Sequence, residues 1–555
     1  MRVVPLALAS ALALAPARSG GGAPDLASRA TAGLEAIRPR TLAARFRFLS
    51  SEALGGRCTG TRGLGVAEAY VSSEMQAAGL EPAGEGGGYL QAVPLRAWRV
   101  DEDRATLELS APGRPRLELL RGEDFVALSD GENSEVEIDA PLVLAGYAVS
   151  APEFGYDDLR SADLRGKIAV VLDGAPLSDR SNYFPPAAHA VYADRTEKLR
   201  LLAERGAAGV LFVAAPEPEG AADWGELARR AREESMGWLE GEALGSGVRG
   251  VPARGVLSPS GFGKLLAAAA LPGGVRGVLE KAEAGRLFPQ PLPLRARLHV
   301  TAEMRELRSH NVAGLLRGSG GSGTPEVVVV SAHLDHSEAG EPGDPDAASG
   351  GGADGAAGVS VLLEVARAFA ALPVAPRRSI LFLAVTGAEQ GLLGSQFFTR
   401  HPTVPGDRIV ADLNIDGTPT VFPFLDAVAI GAADSTLAGP AGAGAAAAGI
   451  ALSPDPDPRG NALARSDQYP FARAGVPSLL VTPGRAGADP ETRRKWRREH
   501  PAAPGQEPGA AWDWEAVARF ARLQFLVALA VADGAERPSW VGGDFFQRPA
   551  GPRTP

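Results

Sequence analysis

The chain has 555 residues and a formal net charge of −10. This length exceeds what a single hydrophobic core normally supports, so two or more domains are expected. The acidic balance argues against a nucleic-acid partner. The single cysteine, Cys58, excludes an internal disulfide and a cysteine-based zinc site.

The N-terminus has the pattern of an export signal. Arg2 precedes an apolar run over residues 3–15, and Ala15-Pro-Ala17 provides an Ala-x-Ala cleavage site. We therefore predict a signal peptide at residues 1–17 and a secreted or periplasmic protein, with a short buried helix as the alternative. No later segment has enough consecutive apolar residues to cross a bilayer, so no membrane span is expected.

The rest of the chain divides into regions of different composition. Residues 23–125 mix helical periodicity with a Gly-rich loop and are predicted to begin the main domain. Residues 126–290 alternate short apolar runs with Pro- and Gly-rich turns, which predicts an inserted β-rich domain, and the Pro-rich stretch 288–293 is interpreted as a linker. Residues 295–540 repeat a strand, loop and helix pattern typical of a layered α/β sheet, and residues 541–555 form a Pro-rich tail.

Polar residues follow three apolar runs of the α/β region. The run 326–332 is β-branched and apolar, as in a buried parallel strand, and it leads into His333 and Asp335. The run 379–385 is followed by Glu389, and the run 408–415 by Asp416. Because the carboxyl ends of parallel strands share one edge of a sheet, these side chains are expected to gather there.

Two further candidates complete a set of metal ligands. Asp354 lies in a Gly-rich stretch just before a segment with helical periodicity. His500 is the only histidine after His401. Histidine and carboxylates suit a divalent ion such as zinc, and a carboxylate shared by two ions roughly 3.5–4 Å apart is a known arrangement. Asp335, two residues beyond His333, is placed to accept the second ring N–H of that histidine.

Each of these residues also has a structural interpretation when it is taken alone. A histidine at a strand end, an aspartate in a Gly-rich turn and an acid at a helix N-terminus all occur without a ligand. His500 lies in a basic run that is typical of a solvated face. The metal interpretation rests on the joint pattern, in which three candidates follow predicted strands and one opens a helix.

Several motifs together resemble the M28 zinc aminopeptidases, the di-zinc exopeptidases, in particular secreted members with an inserted protease-associated (PA) domain. The resemblance covers nearly the whole mature chain. The strongest matches are Ala332-His-Leu-Asp-His336, Gly352-Ala-Asp-Gly355, Gly391-Leu-Leu-Gly-Ser395, Asn414-Ile-Asp416 and Ser466-Asp-Gln-Tyr-Pro-Phe471.

The resemblance implies a fold, a metal site and an activity. The fold would be a three-layer αβα sandwich with a mixed central sheet and a PA-like insertion at residues 126–290, followed by the catalytic domain at 295–540. Two zinc ions would be bridged by Asp354, one also held by His333 and Asp416, the other by Glu389 and His500. The protein would hydrolyse N-terminal residues of peptides or proteins by metal-activated water.

The chain departs from the family pattern at the general base. The family usually has two adjacent glutamates before the Gly-Leu-x-Gly-Ser stretch, a base followed by a ligand. An ungapped match puts Glu389 at the ligand position and Ala388 at the base position, and a methyl group cannot accept a proton. A gapped register instead makes Glu389 the base and Gln390 the ligand. Gln468 replaces a histidine that is often found there, and the loop around His500 is also unusual.

Other functions therefore stay open beside the exopeptidase. One is a catalytically degenerate metal-binding protein that recognises peptides, which the alanine at position 388 favours. Another is a glutaminyl-cyclase-like cyclotransferase of the same fold with a single zinc. A serine hydrolase is disfavoured, because no Gly-x-Ser-x-Gly elbow surrounds Ser360 or Ser395.

Overall fold

The computed structural model describes residues 26–176, 184, 186–214, 224–239, 250–320, 326–336, 353–416, 424–456, 462–484, 486, 512–541 and 546, without the side chains of residues 186, 187, 353 and 354. The predicted signal peptide and the position of His500 lie outside these residues. Within them, no helix has the length and apolar character needed to cross a membrane.

The described part of the chain contains helices and strands in mixed order. The helices are α1 (Leu26–Ala36), α2 (Pro39–Leu49), α3 (Arg62–Ala77), α4 (Pro186–Ala193), α5 (Arg195–Glu204), α6 (Trp224–Arg230), α7 (Pro259–Ala268), α8 (Gly274–Glu283), α9 (Ala353–Ala370), α10 (Leu393–Arg400), α11 (Ala438–Ala447), α12 (Gln468–Arg473) and α13 (Trp514–Asp533).

Strands run through the same residues. They are β1 (Glu81–Pro82), β2 (Leu90–Val100), β3 (Thr106–Ser110), β4 (Leu117–Leu119), β5 (Phe125–Leu128), β6 (Glu135–Leu144), β7 (Ser150–Ala151), β8 (Tyr156–Asp157), β9 (Ile168–Leu172), β10 (Gly209–Val213), β11 (Ser235–Trp238), β12 (Ala253–Leu257), β13 (Gln290–Leu316), β14 (Val327–His333), β15 (Ser379–Val385), β16 (Ile409–Asn414), β17 (Asp426–Ile430), β18 (Ala451–Leu452) and β19 (Ser478–Pro483).

The main sheet is mixed, as the fold resemblance implies. Its strands are ordered β11-β2-β13-β15-β14-β16-β19-β17-β18. The central strands β15, β14, β16 and β19 are parallel to their neighbours in this group, while β2, β11 and β13 run antiparallel to theirs. Strand β17 is antiparallel to β19 and parallel to β18. The predicted fold class, α/β with a mixed central sheet, is therefore confirmed.

Helices cover both faces of the main sheet. Val328 and Val330 of β14 pack into a core cluster with α1, α2, α9 and α13. Val327 and Val329, which point to the opposite face, pack with Phe398 of α10 and with a residue of α12. Because successive strand residues face opposite sides, an all-apolar strand such as β14 requires helices on both sides. The arrangement is three layers: helix, sheet and helix.

A second sheet, here called the accessory sheet, contains β4-β3-β13-β6-β9-β10-β12-β5 in that order. Strands β6, β9, β10 and β12 are parallel. The sheet packs against α7 and α8 on one side and α5 and α6 on the other. It also includes β3 and β4, which precede residue 126 in the chain.

Strand β13 belongs to both sheets. Its first part pairs with β3 and β6, and its second part pairs with β2 and β15. Most of the Pro-rich stretch 288–293 belongs to β13, which begins at Gln290, so the interpretation of this stretch as a linker is wrong. The prolines are accommodated because the pairing with β6 shifts register between Pro291 and Arg295, where ladder hydrogen bonds are interrupted.

Candidate metal centre

His333 and Asp416 meet at the carboxyl edge of the main sheet. His333 is the last residue of β14, and Asp416 lies two residues beyond β16. These strands are parallel neighbours, with Ser331 opposite Asn414. The Nε2 atom of His333 is 3.4 Å from Oδ1 of Asp416. His333 is 5% exposed, whereas the side chain of Asp416 is 31% exposed, so the pair lies between the protein interior and solvent.

The environment of this pair favours its charged form when no cation is bound. Burial acts to lower the pKa of His333, but contact with Asp416 and attraction from Asp335 and Asp467 outweigh it and raise the pKa to about 10. Burial likewise opposes ionisation of Asp416, and the His333 partner nevertheless holds its pKa below the usual value. A divalent cation would replace this proton between the two side chains.

Asp335 fixes the surroundings of His333 through two different groups. The Nδ1 atom of His333 is 3.1 Å from the main-chain oxygen of Asp335, not from its carboxylate. The buried carboxylate instead accepts the main-chain N–H groups of Ala388 (3.1 Å) and Glu389 (3.3 Å) and the hydroxyl of Thr59 (3.2 Å). One residue thus orients the imidazole and holds the turn that carries Glu389.

Glu389 lies on this turn after β15, beside a second histidine. Its Oε1 atom is 3.9 Å from Nδ1 of His336, and its side chain is 35% exposed. Both ring nitrogens of His336 are buried and lack a hydrogen-bond partner among the described residues. Burial, with repulsion from Arg57 and His333, lowers the pKa of His336 to about 4. His336 is therefore neutral at pH 7, and one of its two ring nitrogens carries a lone pair.

The main chain at Asp354 also approaches this edge, although its side chain lies outside the described residues. Gly355, the next residue of α9, has no Cβ, and a Cβ there would lie 2.9 Å from the main-chain oxygen of Asp335 and 3.1 Å from Cε1 of His333. Glycine thus permits the first turn of α9 to contact the end of β14. The position of Asp354 beside His333 follows from this close approach.

A buried hydrogen-bond network lies behind the pair. Ser395 donates to Oδ1 of Asp467. Burial raises the pKa of Asp467 to about 7, against the opposing effects of His333 and Ser395. Asn414 donates to the side-chain oxygen of Gln468 (2.9 Å). Gln468, which departs from the family pattern, therefore holds the end of β16 by a neutral hydrogen bond.

The sequence candidates are thus brought together to different degrees. His333 and Asp416 lie in direct contact, and Glu389 lies next to them through Asp335 and His336. His500 and the side chain of Asp354 lie outside the described residues, and within those residues no three His, Cys, Asp or Glu side chains form a complete ion site. Sequence reasoning missed His336 and Asp467 as neighbours, although both lie inside the quoted motifs.

The donor set fits a zinc ion. The His333 Nε2 and Asp416 Oδ1 atoms are 3.4 Å apart, and because Nδ1 contacts the main-chain oxygen of Asp335, Nε2 would be the ring atom available to a cation. His336 adds a neutral imidazole beside Glu389, and its ring nitrogens have no hydrogen-bond partner within the described ranges. Nitrogen and carboxylate oxygen atoms are the ligands that zinc prefers when cysteine is absent.

Comparison with known proteins supports the family resemblance. Residues 311–520 match the model of Peptidase family M28. No curated protein sequence matches the chain significantly. The fold is similar to that of the aminopeptidase from Aneurinibacillus sp. strain AM-1, with a TM-score of 0.52, 18% identity, and 90% of this chain and 95% of that one covered.

Two other solved structures align over similar lengths. BSAP, a zinc aminopeptidase from Bacillus subtilis, aligns with a TM-score of 0.43 and 18% identity over 89% of this chain and 94% of that one. The Peptidase M28 precursor from Shewanella amazonensis SB2B aligns with a TM-score of 0.40 and 17% identity over 91% and 95%.

Proposed function

We propose that this chain is an exported, zinc-dependent exopeptidase that removes N-terminal residues from peptides and carries a PA-like accessory domain at residues 126–290. The observation that carries the proposal is the contact of His333 with Asp416 at the carboxyl edge of parallel strands, beside the turn of Glu389. The M28 match of residues 311–520 supports peptidase chemistry at this edge.

His333, Asp416 and Glu389 would hold zinc, together with Asp354 and His500. When bound, zinc at such a site polarises a carbonyl and makes water a better nucleophile. The chain itself supplies orientation: the main-chain oxygen of Asp335 sets the tautomer of His333, and the Asp335 carboxylate fixes the main chain of Ala388 and Glu389. A fixed first set of ligands is what catalysis at a metal requires.

Proton transfer is the weak step in this proposal. Ala388 occupies the position of the general base, and its side chain has no proton acceptor. Losing a positioned base typically costs about 10²–10⁴ in rate. We therefore propose that the natural protein is a slow peptidase. The same residue favours a second function, a metal-binding protein that recognises peptide ends without efficient turnover.

One assay separates these functions. The purified protein is analysed for zinc content, and its hydrolysis of alanyl, leucyl and phenylalanyl p-nitroanilides is followed with and without a chelator. We expect two zinc ions per chain, slow hydrolysis that the chelator abolishes, and no hydrolysis of N-acetylated anilides, which lack a free amine.

Each other outcome has a distinct meaning. Two zinc ions without hydrolysis would favour the binding protein. One zinc ion with cyclisation of an N-terminal glutaminyl peptide would favour the cyclotransferase. A protein that binds no zinc would contradict all three.

A further inference from the structure

A cavity that opens to solvent lies between the accessory sheet and the main sheet. The cavity has a volume of about 310 Å³. Leu199 of α5 and Phe212 of β10 line it from the accessory side, and Trp98 of β2 and Met236 of β11 line it from the main sheet. Neither region forms this space alone, because each contributes one wall.

The cavity adjoins the candidate metal centre. Glu389 and Gln390 of the turn after β15 form part of its lining. The same Glu389 has its main-chain N–H bound by Asp335 and its carboxylate 3.9 Å from His336. A group held in the cavity would therefore lie next to the residue proposed to hold zinc.

The walls of the cavity are suited to an apolar group. Trp98, Leu199, Phe212 and Met236 are each less than 9% exposed and present large apolar side chains. A buried apolar surface of this kind favours ligands that remove apolar area from water.

The charged side chains on the same walls already have partners within the protein. The Arg195 guanidinium donates to both carboxylate oxygens of Asp173 and lies over the Phe212 ring. Glu233 is paired with a neighbouring arginine, and Nε of Arg254 donates to a main-chain oxygen (2.7 Å). Because these charged groups already form ion pairs or hydrogen bonds within the protein, we do not expect the cavity to bind a charged group preferentially.

We propose that this cavity receives a large apolar side chain of the peptide substrate, from one of the two residues that flank the cleaved bond. The inference rests on the proposed function, because it assigns the cavity to the substrate of the adjacent site. It makes the accessory region part of substrate selection: Leu199 and Phe212 would contact the bound side chain directly. Side-chain preference would then depend on residues more than 130 positions away in sequence from Glu389.

The test is a binding measurement that does not depend on turnover. Zinc-loaded protein is titrated calorimetrically with three reduced-amide dipeptide amides, which resist hydrolysis: Ala-Ala, Phe-Ala and Ala-Phe. Ser235 and Ala231 also line the cavity at small, accessible positions, so Ser235→Phe and Ala231→Phe fill it without removing core atoms. Ser161→Phe, at an exposed turn outside the cavity, is the matched control.

We expect the natural protein to bind one phenylalanyl probe at least about tenfold more tightly than Ala-Ala, as burial of an aromatic side chain predicts. The two filling variants should reduce this ratio to less than about threefold, and the Ser161 variant should keep it. Equal binding of all probes by the natural protein, or an unchanged ratio in both filling variants, would overturn the proposal.

The outcome is distinguishable from failure of the proposed function. A protein that shows the expected ratios but hydrolyses no anilide would contradict the peptidase and leave the cavity assignment intact. Thermal unfolding of each variant checks that the ratios come from folded protein.

Discussion

The two sheets of this protein both carry polar groups at the ends of their parallel strands, but they differ in the hydrogen-bond partners of these groups. In both, parallel strands bring polar groups to one carboxyl edge, as open α/β sheets do. At the accessory edge, Asp158 accepts the Tyr156 hydroxyl and the Tyr147 main-chain N–H, and Asp173 binds Arg195. Buried Lys198 donates to the main-chain oxygens of Leu172 and Gly174.

At the carboxyl edge of the main sheet, the polar side chains have a different set of contacts. His333 and Asp416 contact each other at 3.4 Å, and His336 has both ring nitrogens without a hydrogen-bond partner in the described part of the chain. The parallel arrangement of strands is thus enough to bring polar side chains together at one edge of a sheet. A site further requires that some of them keep donor or acceptor atoms that the protein does not use.

The largest expected effect comes from adding an acid to the edge of the main sheet. Ala388→Glu places a carboxylate at the position that we propose for the general base, and hydrolysis of leucyl p-nitroanilide should rise by about 10²–10⁴. Ala388→Gln, of similar size but without a basic group, is the control and should give no comparable rise. If the natural protein already hydrolyses the anilide rapidly and Glu changes nothing, then Glu389 is the base and the gapped register is correct.

A second prediction concerns the contact between the accessory region and the main domain. Glu197 of α5 forms an ion pair with Arg473 of α12, and both are largely buried. Glu197→Ala leaves the guanidinium without its carboxylate, so the free energy of unfolding should fall by about 3 kcal/mol. Arg276→Ala, which removes an exposed pair with Glu280 on α8, should cost no more than about 0.5 kcal/mol. If urea unfolding gives the same loss of unfolding free energy for both variants, the Glu197–Arg473 pair stabilises the protein no more than an exposed pair does.

The smallest effect should be a pH dependence of the free energy of unfolding that comes from Asp158 at the edge of the accessory sheet. Burial raises the pKa of Asp158 to about 6, despite hydrogen bonds from Tyr156 and Tyr147. The folded state therefore binds the proton more tightly than the unfolded state, whose aspartate titrates near 4. Stability from this group is greatest below pH 4 and is lost as the pH rises through about 6.

Between pH 4 and pH 7, the free energy of unfolding of Asp158→Asn should fall by about 2 kcal/mol less than that of the natural protein. Urea unfolding at four pH values measures this difference. The rest of the titration curve provides the internal control. A variant whose stability falls as steeply as that of the natural protein would assign the slope to other groups.

Local patterns in the sequence predicted the strands at the site well. Strand β15 has the predicted bounds Ser379–Val385, and β14 and β16 differ from their predicted ranges by one residue at each end. These strands are short, apolar and bounded by polar residues, so burial on both faces fixes them. Their parallel pairing places His333 next to Asp416, as the shared edge required.

Features that depend on distant contacts were harder to predict. The composition of the Ala/Gly-rich tract at 438–448 is compatible with a helix or with a low-complexity loop, and the structure shows α11 packed closely on α13. A Cβ at Gly444 would lie 2.6 Å from the main-chain nitrogen of Val527, so small residues permit this contact. The sequence predicted that the Asp335 carboxylate would contact His333, but the main-chain oxygen does so. This difference depends on the local turn of the main chain.

The 27 residues of β13 have a mechanical consequence. The same strand is hydrogen-bonded first into the accessory sheet and then into the main sheet, so the two regions cannot swing apart at a hinge without rupturing its ladder. Any change in the relative position of the two sheets must therefore bend or twist β13 while its hydrogen bonds on both sides are kept.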